Sequence, residues 1–219
     1  MKKKVIIIDY KLGNLFSVNE ACKRVGIPAT ISSDKGLIEE ADALILPGVG
    51  SFKEAMKNMH ALDIANPIKE FVSTGKPIFG ICLGQQLLFT ESEEFGNSKG
   101  LDLIPGIIRK FSEKDSSKKI KVPQIGWNKI YHDPSAKHWQ ETPLSQVAEN
   151  SYMYFVHSFY AVPSVADHIL SMTEYEGIIY TSSIINNNIF ATQFHPEKSG
   201  EPGLSIYAQW ARRENLINI

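Results

Sequence analysis

The stretch Lys76-Pro77-Ile78-Phe79-Gly80-Ile81-Cys82-Leu83-Gly84-Gln85-Gln86-Leu87-Leu88 constrains this chain more than any other. A short apolar run ends in Gly-x-Cys-x-Gly, and the Leu and Gln residues that follow favour a helix. The pattern predicts a strand, a tight turn and a helix, with a cysteine at the apex. Glycines at i−2 and i+2 of Cys82 let neighbouring chain approach without a Cβ clash. A buried strand that passes straight into a helix belongs to α/β architecture.

The arrangement parallels the Gly-x-Ser-x-Gly elbow, in which a nucleophile is held out from a sheet edge on a strained turn. A thiol there sits near the amino end of the next helix, whose unpaired N–H groups favour the thiolate. Reactivity also needs a base. Ala191-Thr192-Gln193-Phe194-His195-Pro196-Glu197-Lys198-Ser199 offers one in His195, with Glu197 placed to hold the other imidazole nitrogen. The expected triad is Cys82, His195 and Glu197. A cysteine in an apolar run is more often a small core hydrophobe, as expected for Cys22, which stands at helical spacing with Leu15, Val18 and Val25. The flanking glycines and the His-x-Glu pair set Cys82 apart.

The 219 residues suit a single domain spanning 1–219, long enough to bury a complete sheet core. A formal net charge of −1 gives no reason to expect nucleic acid or an anionic membrane as partner. Lys2-Lys3-Lys4 is a short solvated run, and the apolar segment behind it is too short for a signal-peptide core or a membrane span. A cytoplasmic location is expected, and two cysteines do not make a disulfide framework. His60, His132, His138 and His168 lack metal-ligand spacing, so no metal site is expected. His157, in an apolar strand, reads as packing. Gly75-Lys76 is followed by Pro77 where a phosphate-binding loop needs Ser or Thr, and no cofactor is implied.

In order along the chain, Lys4 to Asp9 is a β-branched run typical of a parallel strand covered on both faces. An amphipathic helix is expected from Leu15 to Val25, stopped by Gly26-Ile27-Pro28, then strands near Ala29–Ser32 and Ala43–Leu46. A helix through about Met59 and another over Asp63–Thr74 lead to the strand before Cys82. Beyond Gly100 the texture changes to short apolar pieces, Leu103–Phe111 and Val122–Ile130, which predict antiparallel strands added to the parallel half. Ser112–Lys119 reads as a charged loop and His132–Asn150 as mainly surface loop. Tyr152–Val162 is expected as a strand, and Ile178–Phe194 as a hairpin that delivers His195. A last helix, capped by Ser199, runs to about Asn215.

Pro47-Gly48-Val49-Gly50 admits two readings. A dinucleotide fingerprint lacks its third glycine and its acidic residue. The alternative is an oxyanion loop: Gly48, Val49 and Gly50 follow a parallel strand, where open α/β folds place their sites. They could turn an N–H toward a tetrahedral intermediate alongside the N–H of Leu83.

Together, Pro47-Gly48-Val49-Gly50, Gly80-Ile81-Cys82-Leu83-Gly84-Gln85-Gln86 and His195-Pro196-Glu197 resemble the three blocks of class I, triad-type glutamine amidotransferases. The resemblance implies the flavodoxin-like fold of that class: a mainly parallel central sheet flanked by helices, with added antiparallel strands. Asp9–Asn14, Gln124–Asn128 and Tyr154–Tyr160 are most similar to the glutaminase subunits that serve imidazole glycerol phosphate synthesis in histidine biosynthesis. It implies attack on glutamine by Cys82, proton transfer by His195, glutamine binding by Gln86, and Ser158, Phe159 and Tyr160 near the amino-acid end. It further implies a TIM-barrel cyclase partner that receives ammonia, with Asn14, Tyr154 and Lys198 at the interface. The chain departs from the family in having Lys11 where Gly is common and Gln85 where Met is common. Other readings are a paralogue that feeds ammonia to amidine-sugar synthesis for surface polysaccharide, a Cys hydrolase of peptides or γ-glutamyl chains, and an inactive regulatory or scaffold subunit.

Overall fold

The computed structural model describes residues 3–112, 120–132 and 138–217. Four parallel strands form its first half: β1 (Val5–Ile8), β2 (Ala29–Ser32), β3 (Ala43–Gly48) and β4 (Ile78–Cys82). Between them run α1 (Leu15–Arg24), α2 (Lys35–Glu40), α3 (Phe52–Ala61) and α4 (Ala65–Ser73), and α5 (Leu83–Leu87) leaves the end of β4. The second half adds β5 (Phe89–Ser92), β6 (Ser98–Lys99), β7 (Ile104–Lys110), β8 (Gln124–Lys129), β9 (Tyr152–His157) and β10 (Phe159–Pro163). It ends with β11 (Ile169–Tyr175), β12 (Ile178–Asn186), β13 (Ile189–Thr192) and α6 (Gly200–Arg213). The main sheet runs β2-β1-β3-β4-β13-β12-β10-β7-β5-β6, with β11 on β12, while β8 and β9 form a separate ribbon. From β2 to β13 neighbouring strands are parallel; β13, β12, β10 and β7 then pair antiparallel. Among the described residues no helix is long and apolar enough to cross a membrane.

Alternation of side chains explains the layers. Val5 and Ile7 of β1 pack with Val18, Cys22 and the α6 residues Tyr207 and Trp210. Ile6 and Ile8 join Ile38, Met59, Ile68 and Phe71 on the opposite face. Ile7 and Ile8 are 0% exposed, and each such side chain contributes about 1.5–3 kcal/mol through burial. Cys22, also fully buried, is the core hydrophobe its spacing predicts. Lys11 adopts φ 70°, the left-handed region that a glycine would occupy without strain. Its N–H and ammonium both reach the Asp9 carboxylate, which holds the turn.

The structure departs from the sequence reading at several points. The helix after Cys82 is only five residues long before the chain returns to strand β5, because Phe89 is drawn into the sheet beside β7. Helix α2 leaves no mark in the sequence pattern: six residues are too few for a periodicity, although Asp34 caps it by accepting from the Leu37 N–H at 2.9 Å. Tyr152–Val162 is two strands broken at Ser158, one in the ribbon and one in the main sheet. The segment read as surface loop buries Leu144 and Val147 in the core, and Trp139 donates to the Leu170 carbonyl at 2.7 Å. Its residues 133–137, and 113–119 of the charged loop, lie outside the described residues. Ser199 stands at the α6 N-cap, but its hydroxyl makes no capping bond.

Candidate active site

β4 carries Cys82 to the carboxyl end of the parallel strands, and the turn into α5 gives it φ 54° and ψ −108°. Such a conformation costs a non-glycine residue of order 1–3 kcal/mol. The flanking glycines show what enforces it. A Cβ on Gly84 would stand 1.7 Å from the Leu46 carbonyl oxygen, and one on Gly80 would meet Leu88 Cδ1 at 2.9 Å. The chain therefore meets its neighbours too closely for the turn to relax.

His195 follows β13, the strand beside β4. Its Nδ1 lies 2.8 Å from Glu197 Oε1, with side chains 2% and 1% exposed. Burial alone would lower the His195 pKa. The charge of Cys82 and its side-chain contact, then the hydrogen bond and charge of Glu197, raise it from 6.5 to about 10. The other imidazole nitrogen, Nε2, is buried with no partner in hydrogen-bond geometry. Catalytic hydrogen bonds commonly tighten only once substrate is bound. The loop itself is tied down: the His195 N–H donates to the Tyr154 carbonyl at 2.9 Å. The Ser199 hydroxyl donates to the His195 carbonyl at 2.7 Å and accepts from the Tyr154 N–H at 3.0 Å.

Beside Cys82 opens a cavity of about 300 Å³, lined by Val49, Gly50, Leu83, Gln86, Glu94 and Ser158 among others. Gly48 pairs with Cys82 across β3 and β4. A Cβ there would fall 1.9 Å from the Tyr10 hydroxyl. Two residues on, Gly50 has φ 101° and only Leu12 Cδ2 near it, at 3.8 Å. Gln86 donates from Nε2 to the Phe159 carbonyl at 3.0 Å and to Gln193 Oε1 at 3.0 Å. Both its N–H groups are thus engaged, and what it can offer a ligand is its carbonyl oxygen. His157 is packed as expected, yet its ring also borders the cavity. Burial lowers its pKa to about 4, so it stays neutral, and its Nδ1 lies 2.8 Å from the Phe159 carbonyl.

Not every expected residue faces this cavity. Tyr160 packs its ring on Phe111, centroids 4.9 Å apart, within an aromatic cluster that includes Tyr180. Asn14 is the N-cap of α1 and accepts from the Ser17 N–H at 3.3 Å. Tyr154 lies on the ribbon with the Lys198 ammonium 5.7 Å over its ring and the Trp127 ring 6.0 Å away. Two further residues belong to the site without standing out in the sequence. Glu94, within the polar run Glu91-Ser92-Glu93-Glu94, looks like a solvated charge; instead it accepts from the Phe52 N–H at 2.5 Å and lines the cavity. Burial raises its pKa, against the lowering by that hydrogen bond. Gln193 is fully buried, and its Nε2 donates to Cys82 Sγ at 3.7 Å. Between Thr192 and Phe194 it carries no signal in the sequence that could have found it.

A doubly wound sheet with a strained cysteine elbow and a buried His–Glu pair beside it defines a class. Residues 7–211 match the model of the glutamine amidotransferase class-I family, and the chain belongs to that family of enzymes. Its relatives include the imidazole glycerol phosphate synthase subunit HisH of Geobacillus kaustophilus, 44% identical over 203 residues, 91% of this chain and 92% of that protein. The subunit of the same name from Chlorobium luteolum is 45% identical over 208 residues, 94% of this chain and 98% of that one. Among solved structures, PurLQS from Thermotoga maritima superposes with a TM-score of 0.70 at 19% identity, covering 97% of this chain and 99% of that one. A glutamine amidotransferase from the same organism gives 0.60 at 15%, covering 99% and 95%. These two share the fold.

Proposed function

We propose that the chain is the glutamine-hydrolysing subunit of an imidazole glycerol phosphate synthase in histidine biosynthesis, with Cys82, His195 and Glu197 as its catalytic triad in one domain over 1–219. What supports this reading is the buried His195–Glu197 pair at the end of the strand next to a thiol on a strained elbow. The identity to HisH subunits over nine-tenths of the chain supplies the pathway.

In the proposed reaction, the proton of the Cys82 thiol already rests on His195 Nε2, as its raised pKa implies, and the Cys82 thiolate bonds to the side-chain carbonyl carbon of glutamine. Charge develops on the former carbonyl oxygen, toward which N–H groups of Leu83 and the Gly48-Val49-Gly50 loop are directed in the transition state. The C–N bond then breaks, His195 returns the proton to the departing ammonia, and a γ-glutamyl thioester remains. Water, deprotonated by His195, hydrolyses it to glutamate and free thiol. Glu197 holds the imidazole throughout. The cavity size suits an amino acid: Glu94 supplies a carboxylate for the substrate ammonium, and Gln86 and the Ser158–Phe159 segment border it.

Ammonia leaves for a partner protein, in this reading a TIM-barrel cyclase. The exposed face of the β8–β9 ribbon supports such docking: Ile125, Trp127 and Tyr152 are 63%, 56% and 54% exposed, close to Tyr154 and Lys198 beside the His195 loop. Docking turns the peptide at Gly48-Val49-Gly50 so that its N–H faces the oxyanion, a donor worth about 10²- to 10³-fold in rate. The test is glutamine hydrolysis with and without the cyclase. Turnover that rises on adding it, and vanishes in Cys82→Ala, is expected; hydrolysis surviving in Cys82→Ala refutes the triad, and equal turnover of the free glutaminase refutes the loop gating.

A further inference from the structure

Gln193 sits between the nucleophile and the substrate-facing amide, and its two functional atoms are both spent there. Its Nε2 donates to Cys82 Sγ at 3.7 Å, and its Oε1 accepts from Gln86 Nε2 at 3.0 Å. The second bond fixes which end of the Gln193 amide meets the sulfur, since an amide that accepts with its oxygen must turn its nitrogen the other way. Gln86 is locked in turn by its other N–H, which reaches the Phe159 carbonyl at 3.0 Å. That carbonyl is also held by His157 Nδ1 at 2.8 Å, whose Nε2 lies 3.2 Å from the Tyr180 hydroxyl. A continuous polar chain thus runs from the Tyr180 hydroxyl to the thiol. The Gln193 side chain is fully buried, where an amide costs free energy unless its bonds are made. Its backbone is equally anchored, the N–H donating to the Ser182 carbonyl at 2.8 Å.

We propose that Gln193 is a positioning residue for the reaction: its amide N–H holds and polarises the Cys82 sulfur while its carbonyl sets Gln86, so one side chain aligns nucleophile and substrate cradle. It does not line the cavity beside Cys82. Two consequences follow from the chemistry. A hydrogen-bond donor to sulfur favours the thiolate over the thiol, and the same donor restrains the sulfur against rotation away from the His195 imidazole. The His–Glu pair supplies the base; Gln193 supplies a neutral donor that does not compete for the proton.

The inference rests on Cys82 being the nucleophile, so its test reads the thiol without requiring turnover. Iodoacetamide alkylation is followed as a function of pH in the complete chain. Cys22 stays silent, being fully buried with its thiol pushed up to about 12 by that burial. Gln193→Met removes the donor while filling the space; Gln193→Glu keeps the acceptor for Gln86 but turns a carboxylate toward the sulfur. The alkylation midpoint is expected to rise by about one to two pH units in Gln193→Met, the size of a charge-assisted hydrogen bond, and further in Gln193→Glu. With cyclase present, kcat falls by about tenfold to a hundredfold in Gln193→Met, more than KM changes. A purely structural Gln193 would lower the melting temperature and leave the midpoint where it was. An unmoved midpoint in both variants, each shown folded by circular dichroism, overturns the proposal while leaving the glutaminase reading intact. Hydrolysis surviving in Cys82→Ala would instead overturn that reading.

Discussion

The ends of strands β3 and β4 lie side by side, Gly48 paired with Cys82, yet they are built in opposite ways. At the end of β4, Gly80 and Gly84 touch their neighbours so closely that neither has room for a methyl group, and Cys82 is 5% exposed. At the end of β3 the constraint dies within two residues. Gly48 is pressed against the Tyr10 hydroxyl, while Gly50 has open space around it and Val49 is 38% exposed. One end holds the Cys82 sulfur in a strained, over-determined pose; the other has no neighbour closer than ordinary van der Waals contact to hold Gly50. The proposed mechanism calls on both, a fixed nucleophile at Cys82 and an adjustable oxyanion donor in the Gly48-Val49-Gly50 loop.

The sharpest way to break this comparison is to place the same methyl group on each side. Gly84→Ala drives a Cβ to 1.7 Å from the Leu46 carbonyl oxygen. Overpacking against backbone is expected to cost about 3 kcal/mol or more and to abolish hydrolysis, read by urea denaturation and glutamine turnover. The second-largest effect lies in the base that serves the clamped thiol. Glu197→Gln keeps the shape of the pair but removes the carboxylate, and turnover is expected to fall by about 10³-fold or more. The His195 pKa is raised from 6.5 to about 10, so its stabilising contribution is fully present below the lower value and is lost as pH rises through the upper one. Glu197→Gln lowers that upper limit. The difference in melting temperature between wild type and variant should therefore shrink as pH climbs toward the wild-type value, and a constant difference would count against the assignment.

On the loose side the expected effect is smaller. Gly50→Ala meets nothing closer than 3.8 Å, but an L-residue is strained at φ 101°. Stability should change by about 1 kcal/mol. The stimulation of hydrolysis expected from the proposed partner subunit should drop by about tenfold, since the variant resists the turn of the peptide. If Gly84→Ala and Gly50→Ala gave equal losses of stability, the contrast between the two strand ends would be wrong.

The legible parts of this molecule are those where one local rule acts alone. Val5–Ile8 reads as a doubly covered strand because β-branched residues fill it, and Gly80-x-Cys82-x-Gly84 reads as an elbow because two glycines at that spacing have few other uses. What stays hidden depends on partners distant in the chain. Glu94 resembles a surface charge until Phe52 is brought to it, and Ser158 breaks a strand only because β9 and β10 belong to different sheets. Leu144 and Val147 stand among Pro, Ser and Asn residues that spell loop, and their burial becomes visible only once the sheet they cover exists. Gln193 lies two residues before His195 with no role legible in the sequence, since nothing local tells an amide which sulfur it will meet.

The clamped side nevertheless has a flaw, and it gives the finest test of how far rigidity there can be pushed. Gln85, in α5 directly after Gly84, is fully buried, and neither its Nε2 nor its Oε1 has a hydrogen-bond partner. An unpaired buried amide costs about 1–3 kcal/mol. Methionine has nearly the same length and no polar group to satisfy, and its flexible thioether adapts to the cavity that an amide leaves. Gln85→Met is therefore expected to raise the melting temperature by about 2–12 °C, at about 2–4 °C per kcal/mol for a chain of this size. The elbow is held by Gly80 and Gly84 rather than by Gln85, so kcat with the cyclase should stay within about twofold of wild type. A stabilised variant with unchanged turnover would mean that the strain at Cys82 is already fully enforced by its glycines. A stabilised variant with depressed turnover would mean that the nucleophile, like the loop beside it, needs some freedom to move.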